Sequence, residues 1–151
     1  MGNNNLSFQP DTSIFDTYLR PLRVYYAYLV EVRNMTKVAL VVNGPEPKCV
    51  YPPFVLGTSA LALGNEVIIF FCPAGGLWCK KGELEKVTGK GMPDLKDLVD
   101  KFHKLGGKLY LCELALEAKD IKREEVRTDA EIIGATEFMS KASTATVTFA
   151  F

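Results

Sequence analysis

Hydrophobic residues in this chain fall into short continuous runs, separated by amphipathic segments and by turns rich in glycine or proline. The runs "KVALVV" (37–42), "EVIIFFC" (66–72) and "KLYLC" (108–112) are apolar almost throughout and rich in β-branched or aromatic residues. That composition is typical of strands covered on both faces. Two weaker runs, "AEIIGA" and "TVTFAF", predict a fourth strand and a final strand near the C-terminus.

Helical periodicity occupies the segments between these runs. In "MPDLKDLVDKFHKLGGK" the apolar residues keep helical spacing, with Pro93 placed to open the helix and Gly106 placed to close it. The segment "PPFVLGTSALALG" predicts a second helix that starts at its paired prolines and stops at Gly64. The segments "ELALEAKDI" and "ATEFMSKAST" predict shorter helices, and a glycine-rich loop is expected after residue 72.

Strands that alternate with helices predict an α/β protein. Because each strand is apolar throughout, we expect a three-layer α/β/α sandwich with a five-stranded, mainly parallel sheet, in the style of flavodoxin. Residues 36–151 form the predicted α/β domain. Residues 1–35 differ in character and are predicted to be a partly helical extension, with Asp11, Thr12 or Ser13 as a helix cap and Pro21 as an interruption.

Composition narrows the classes of partner. A length of 151 residues suits one domain, and 48% hydrophobic with 24% charged residues is ordinary for a globular protein. Lys+Arg and Asp+Glu number 18 each, so no net charge attracts the chain to nucleic acid or to an anionic membrane. The start "MGNNNLSFQPDT" lacks the pattern of a secretory signal, and the four cysteines are therefore expected as free thiols in the cytoplasm.

The spacing of the four cysteines does not fit a structural zinc site, and we expect neither a metal nor a cofactor. In a parallel sheet all strands end at one edge, where open α/β sheets bind ligands. Cys49 follows the first strand, Cys72 ends the second, Cys79 lies in the next loop, and Cys112 ends the third. All four are therefore expected at or beyond this functional edge.

Cys112 is the best-placed candidate nucleophile. It would precede the first turn of "ELALEAK", where unpaired backbone N–H groups and the positive end of the helix dipole favour a thiolate or a persulfide anion. Glu113 opposes this effect unless its carboxylate points away. The alternative is a buried cysteine that fills the strand end, since free cysteines are among the most buried residues.

The other candidates carry weaker signals. Cys72 is expected in the core, and Cys72, Cys79 and Cys49 are each candidates for a second thiol. Lys80 and Lys81 would favour a thiolate at Cys79 if it were exposed, but a loop cysteine beside solvated lysines is the preferred explanation.

Three further features have ordinary explanations. The glycines of "PAGG" could bring backbone amides close to an anion, but two glycines are a weak signal. Trp78 is expected to pack rather than to stack on a ligand. His103 is expected to be a solvated helix residue, and without a second histidine a His-assisted nucleophile is hard to build.

From Thr36 to Phe151 the chain resembles the DsrE/DsrF-like family of small sulfur-relay proteins. The resemblance rests on "KVALVVNGPEPKCVYPPFVLGTSALALGNEVIIFF", "GLWCKKG", "LKDLVDKFHKLGGKLYLCELALEAKDI" and "AEIIGATEFM…TVTFAF". It implies a five-stranded α/β/α sandwich of the DsrEFH type that forms trimers or hexamers. It also implies that Cys112 corresponds to the cysteine that carries sulfur as a persulfide or thiosulfonate in active members.

The resemblance further implies a partner protein with a reactive cysteine, TusA- or rhodanese-like, as sulfur donor or acceptor. One departure from active relatives is the stretch Ala118-Lys119-Asp120, where an Arg-Gly pair is common, and some relatives are structural partners without chemistry. The first hypothesis is thus a cytoplasmic sulfur carrier or sulfurtransferase using Cys112. The second is a redox protein that pairs Cys112 with Cys72 or Cys79, and the third is a non-catalytic module that binds a small ligand or supports assembly.

Overall fold

The computed structural model describes residues 36–151, and the predicted extension at 1–35 lies outside the described residues. Five strands and four helices alternate along this part of the chain, as the hydrophobic pattern predicts. The strands are β1 (Lys37–Val42), β2 (Glu66–Phe71), β3 (Lys108–Cys112), β4 (Ala130–Ile133) and β5 (Val147–Ala150). The helices are α1 (Pro47–Ala62), α2 (Leu95–Lys104), α3 (Leu114–Ala118) and α4 (Ala135–Ala142).

Short 3-10 turns complete the connections at Pro73–Cys79, Leu84–Lys86 and Arg123–Glu125. The first of these replaces the glycine-rich loop that the sequence predicts after β2. Between residues 36 and 151, every helix is too short or too polar to cross a lipid bilayer.

The five strands form one sheet in the order β4-β3-β2-β1-β5, and every neighbouring pair is parallel. The predicted α/β class with a five-stranded parallel sheet is therefore confirmed. Lys37 of β1 lies opposite Glu66 of β2, and the two strands stay in register as far as Val42 and Phe71. Because all strands run the same way, their carboxyl ends share one edge, at which β1, β2 and β3 end side by side.

Alternate residues of the strands enter two separate cores. The main core lies on the sheet face covered by α1 and α2 and contains Leu40, Ile69 and Leu111. The opposite face carries a smaller cluster, called the minor core here, which is covered by Phe138 of α4. Its buried members are Ala39, Ile68, Phe70, Tyr110, Cys112, Ile133 and Phe138.

Helix α1 begins five residues before the predicted start. Its first residue is Pro47, and Pro52 and Pro53 lie inside the helix. A proline suits the first position of a helix, because the backbone N–H there needs no partner within the helix. Pro47 fits that position as well as Pro52 or Pro53 would. Pro52 and Pro53 lack an N–H for the carbonyls of Lys48 and Cys49, so the ladder of hydrogen bonds is interrupted there. The predicted stop is confirmed, since Gly64 follows the helix with φ +84°.

The packing of α1 on α2 depends on a close approach at one glycine. A Cβ atom on Gly57 would lie 3.0 Å from the ring of Phe102, which is fully buried. The Phe102 ring meets Phe54 edge-on, with their centroids 5.5 Å apart. Burying a phenylalanine of this kind stabilises the fold by about 1.5–3 kcal/mol. The contact thus holds both helices on the same face of the sheet and leaves the minor core to α4.

Candidate functional site: the thiols at the carboxyl edge

Two cysteines lie side by side at the carboxyl ends of β2 and β3. Phe71 pairs with Leu111 in the parallel register, so the next residue along each chain places Cys72 beside Cys112. Cys72 is still extended, and its N–H donates to the carbonyl of Val42 at 2.9 Å. Both side chains point to the minor core. The structure therefore brings together two of the four predicted thiols, on one face and at the predicted edge.

Cys112 is enclosed by the minor core. Only 3% of the residue is exposed, and it lies opposite Ile133 of β4, which is also buried. The alternative of a cysteine that fills the strand end is confirmed as far as burial is concerned. Of its two strand neighbours, Ile133 and Cys72, only Cys72 is partly exposed. The strand neighbour on the β2 side is therefore the less buried of the two.

The predicted helix after Cys112 is present but short. Helix α3 has five residues, and the first amide after the cysteine, on Glu113, donates to the carbonyl of Ile133 at 3.0 Å. That amide extends the β3–β4 ladder and is not free to face an anion. The expectation of unpaired donors at this point is therefore wrong for the Glu113 amide, because β4 continues alongside.

The Glu113 carboxylate lies against the start of α4. A Cβ atom on Gly134 would be 3.0 Å from Glu113 Oε1, and Gly134 is the residue that precedes α4. A carboxylate near the amino end of a helix is stabilised by the helix dipole.

Cys72 is the more accessible thiol of the pair. It packs on the rim of the minor core and is partly exposed. Burial raises the pKa of the Cys72 thiol, and a negative charge on Cys112 would raise it further. An ionised Cys112 would therefore lie close enough to disfavour the thiolate form of Cys72.

A sequence model of the DsrE/DsrF-like family matches residues 36–151, which is the whole described domain. The chain belongs to the DsrE/DsrF-like family. This family is generally associated with sulfur relay. The expectation drawn from the sequence motifs is thus confirmed at the level of the family.

A curated protein is similar to part of this DsrE-like chain. Among curated proteins, the uncharacterized protein MJ0760 of Methanocaldococcus jannaschii is 32% identical over 93 residues, covering 62% of this chain. The match spans only 34%, about a third, of that protein's length.

Solved structures show the same fold. The ychN protein of E. coli aligns with a TM-score of 0.61 and 14% identity, over 78% of this chain and 100% of that one. MTH1491 of Methanobacterium thermoautotrophicum, a protein of unknown function, aligns with a TM-score of 0.53 and 8% identity, over 77% and 99% of the two chains. At these identities the likeness concerns the fold alone.

Cys79 does not lie beside Cys72 and Cys112 in this DsrE-like domain. It is fully buried in the main core, on the opposite face of the sheet from Cys112. Burial raises the pKa of its thiol well above the ordinary value; the nearby charge of Arg127 lowers it, and that of Asp129 raises it. The expected loop cysteine at position 79 is therefore wrong, as are the alternative of an exposed thiol activated by Lys80 and Lys81 and the pairing of Cys79 with Cys112.

Cys49 lies in the first turn of α1 and is partly exposed. Its sulfur lies 3.6 Å from Glu46 Oε2 and packs against Gly44, just beyond the end of β1. The helix that carries it covers the main core. Cys49 is thus near the carboxyl edge, as expected, but on the face opposite Cys72 and Cys112.

The "PAGG" glycines and Trp78 have structural roles. A Cβ atom on Gly75 would lie 2.6 Å from the carbonyl oxygen of Val42, so only glycine fits at this approach to β1. The indole of Trp78 is buried and donates to the carbonyl of Gly44 at 3.1 Å. Packing therefore explains both features, and the expectation for Trp78 is confirmed.

An ionic cluster that sequence reasoning missed lies at the amino edge of the sheet. Arg127 is 9% exposed and forms a double hydrogen bond to Asp129, with Nε–Oδ1 and Nη2–Oδ2 distances of 2.6 and 2.8 Å. Its Nη1 donates to Glu85 Oε1 at 3.2 Å, and His103 Nε2 lies 2.9 Å from Asp129 Oδ2. His103 therefore lies against the Asp129 carboxylate and is not the solvated helix residue that was expected. The Arg-x-Asp spacing before β4 is the one sequence signal for this cluster.

A surface groove of about 390 Å³ lies beside the same edge, away from the thiols. It is lined by residues 108–110 of β3 and 128–131 around β4. Its lining carries Lys108, Asp129 and Glu131, so it offers charges of both signs and no thiol. The groove and the thiol pair are separate features of the domain.

Proposed function

We propose that this DsrE-like protein is a cytoplasmic sulfur carrier, with sulfurtransferase activity, that holds sulfane sulfur on Cys112 as a persulfide or thiosulfonate. The observation that carries the proposal is the position of Cys112. It ends β3 at the carboxyl edge of the parallel sheet, in a chain that belongs to a family associated with sulfur relay. Open α/β sheets bind their ligands at this edge.

The surroundings of Cys112 favour retention of a sulfur atom bound to the cysteine over its loss to solution. The apolar side chains of Ile133 and Phe138 lie in the same cluster and exclude water from that side. A persulfide is lost by attack of another thiol, so limited access slows its exchange with small thiols in solution. A partner protein with a reactive cysteine, TusA- or rhodanese-like, would deliver or accept the sulfur from the open, Cys72 side.

Sulfur uptake is tested by mass spectrometry of the protein after incubation with polysulfide, thiosulfate or tetrathionate. We expect one donor to add sulfur to the peptide that contains Cys112, and a dithiol reductant to remove it. The Cys112→Ser variant should lose this modification. Cys49→Ser is the matched control, because it removes a partly exposed thiol on the other face and should leave the uptake intact. An unmodified Cys112 under every donor, with Cys49 labelled, would contradict the proposal.

A further inference from the structure

The side-by-side placement of Cys72 and Cys112 has a chemical consequence beyond sulfur carriage. Adjacent strands of a sheet lie about 4.8 Å apart, and residues in register on the same face point the same way. A disulfide needs Cα atoms about 4.4–6.8 Å apart. Continued by one residue beyond the Phe71–Leu111 pair, the register of β2 and β3 gives the Cα atoms of the two cysteines a spacing of the kind that a disulfide spans, and both side chains belong to the minor core.

The other thiols of the described domain are not placed for this reaction. Cys79 is fully buried on the opposite face, and Cys49 lies on α1, which packs on that same opposite face. Cys72 and Cys112 share the minor core and differ in exposure. The structure thus separates a pair with an enclosed member and an accessible member from two isolated cysteines.

We infer that Cys72 is the resolving thiol of this site: it attacks the sulfur-loaded Cys112, releases the carried sulfur as hydrosulfide, and leaves a Cys72–Cys112 disulfide. The inference rests on the proposed function, in which Cys112 carries the sulfane sulfur. It gives the site a second outcome besides transfer to a partner's cysteine. When no partner protein is bound to accept the sulfur, the sulfur is released in reduced form, as hydrosulfide.

The step balances in atoms and electrons. The Cys72 thiol loses its proton to solvent, and its sulfur attacks the inner sulfur of the Cys112 persulfide. The sulfur–sulfur bond of the persulfide breaks, and its outer sulfur departs with the bonding electron pair as hydrosulfide. The Cys72 sulfur is oxidised and the outer sulfur of the persulfide is reduced, whereas the Cys112 sulfur exchanges one sulfur–sulfur bond for another. An external dithiol reductant then returns the disulfide to two thiols.

The protonation of Cys72 makes the step dependent on pH. Because burial raises the pKa of the Cys72 thiol, its thiolate fraction near neutral pH is smaller than that of an exposed cysteine. Release of hydrosulfide should therefore be slow near neutrality and accelerate as the pH rises. This leaves time for a partner to collect the sulfur first.

The first test needs no variant and no sulfur donor. The wild-type chain is treated with the thiol oxidant diamide, its free cysteines are alkylated, and its peptides are mapped. We expect Cys72 and Cys112 to be linked to each other, and Cys49 and Cys79 to be alkylated after unfolding. Free alkylation of both Cys72 and Cys112, or a bond from either one to Cys49, would overturn the inference.

The second test follows hydrosulfide release from persulfide-loaded protein after the donor has been removed. Wild type should release hydrosulfide and gain the Cys72–Cys112 disulfide in equal amounts, faster at higher pH. Cys72→Ser should keep the sulfur on Cys112 and lose the release, whereas Cys49→Ser should behave as wild type. Equal release from Cys72→Ser and wild type would show that Cys72 is not the resolving thiol.

The two proposals fail in different ways. If Cys112 never takes up sulfur but diamide links it to Cys72, the carrier function is wrong and the chain is a redox dithiol protein. If Cys112 takes up sulfur but diamide leaves Cys72 free, the carrier function stands and the resolving role is wrong. Far-ultraviolet circular dichroism of each serine variant shows that the compared proteins are equally folded.

Discussion

Arg127 illustrates how single side chains are positioned in this domain. It is nearly buried, yet its guanidinium is matched by the Asp129 carboxylate in a two-bond arrangement and by Glu85 on its remaining side. Removing one partner of such a pair lowers the free energy of unfolding by more than the intact pair contributes to it, because the other charge stays buried without a partner. The same residue donates its backbone N–H to the carbonyl of Cys79 at 2.9 Å, which ties the cluster to the main core.

The stability of the protein is expected to fall in acid through Asp129. Burial acts to raise the pKa of this carboxyl, but hydrogen bonds from His103 and Arg127 and their charges outweigh it and lower the pKa below its ordinary value. A carboxyl with a depressed folded pKa adds stability that is complete above its unfolded pKa of about 3.9 and disappears as the pH falls towards the folded value.

Urea unfolding at a series of pH values measures this effect. Asp129→Asn should be less stable than wild type near neutrality, and the gap should narrow as the pH falls below about 4. Glu117→Gln, a neutralised carboxyl on the exposed side of α3, is the control and should track wild type at every pH. A constant gap between Asp129→Asn and wild type across the whole range would contradict the assignment.

Among the elements, α2 shows the closest agreement between sequence and structure. Its apolar spacing puts Leu95, Val99 and Phe102 in the main core, and Gly106 follows with φ +89°, as the predicted stop requires. The one local difference is the start. Asp94 caps the helix by accepting a hydrogen bond from the Lys96 amide at 2.9 Å, so α2 begins two residues after Pro93.

We expect Asp94→Ala to destabilise the protein by about 0.5–2 kcal/mol, the usual cost of losing an N-cap hydrogen bond. The free energy of unfolding from urea titration measures it. Asp94→Asn is the matched variant, because asparagine caps equally well and only removes the charge. If both variants lost the same stability, the charge and not the cap would be responsible.

At the scale of the whole described domain, residues 36–151, the edge strand β5 is an unusually exposed surface. All four of its residues are exposed, and the exposed fraction of Phe149 is 48%. Val147 and Phe149 lie on the same face as Val38 and Leu40 of β1, with which they pair. Unprotected edge strands readily pair with another chain, and this protein carries no net charge to keep copies apart. We therefore propose that β5 lies at a subunit contact of a homo-oligomer, for which the family resemblance implies a trimer or hexamer.

Light scattering over a range of concentrations tests the association. Wild type should exceed the monomer mass, and Phe149→Lys should shift the distribution towards monomer because a charge would have to be buried in the contact. Leu63→Lys is the control, since Leu63 is 80% exposed in the turn after α1 and is not part of β5. A monomer at every concentration, or equal effects of the two lysine variants, would rule out this surface.

The strands, the order of the elements and the parallel sheet were determined by the sequence alone. A buried parallel strand must be apolar on both faces, and this leaves a local pattern that can be read without coordinates. The same reasoning placed Cys112 and Cys72 at the ends of β3 and β2. It failed for Cys79, whose run of Gly, Trp and Lys neighbours predicts an exposed loop although the segment folds back into the main core.

Only the tertiary structure decided which thiols lie close together and which are buried. Whether Cys72 lies beside Cys112 depends on the order of strands and on their register, and neither is encoded in the local periodicity of a segment. The burial of Cys112 and the meeting of His103 with Asp129 depend likewise on elements that are distant in the chain. Local sequence specifies local conformation, whereas the neighbours of a side chain are set by long-range packing, which is a property of all the elements together.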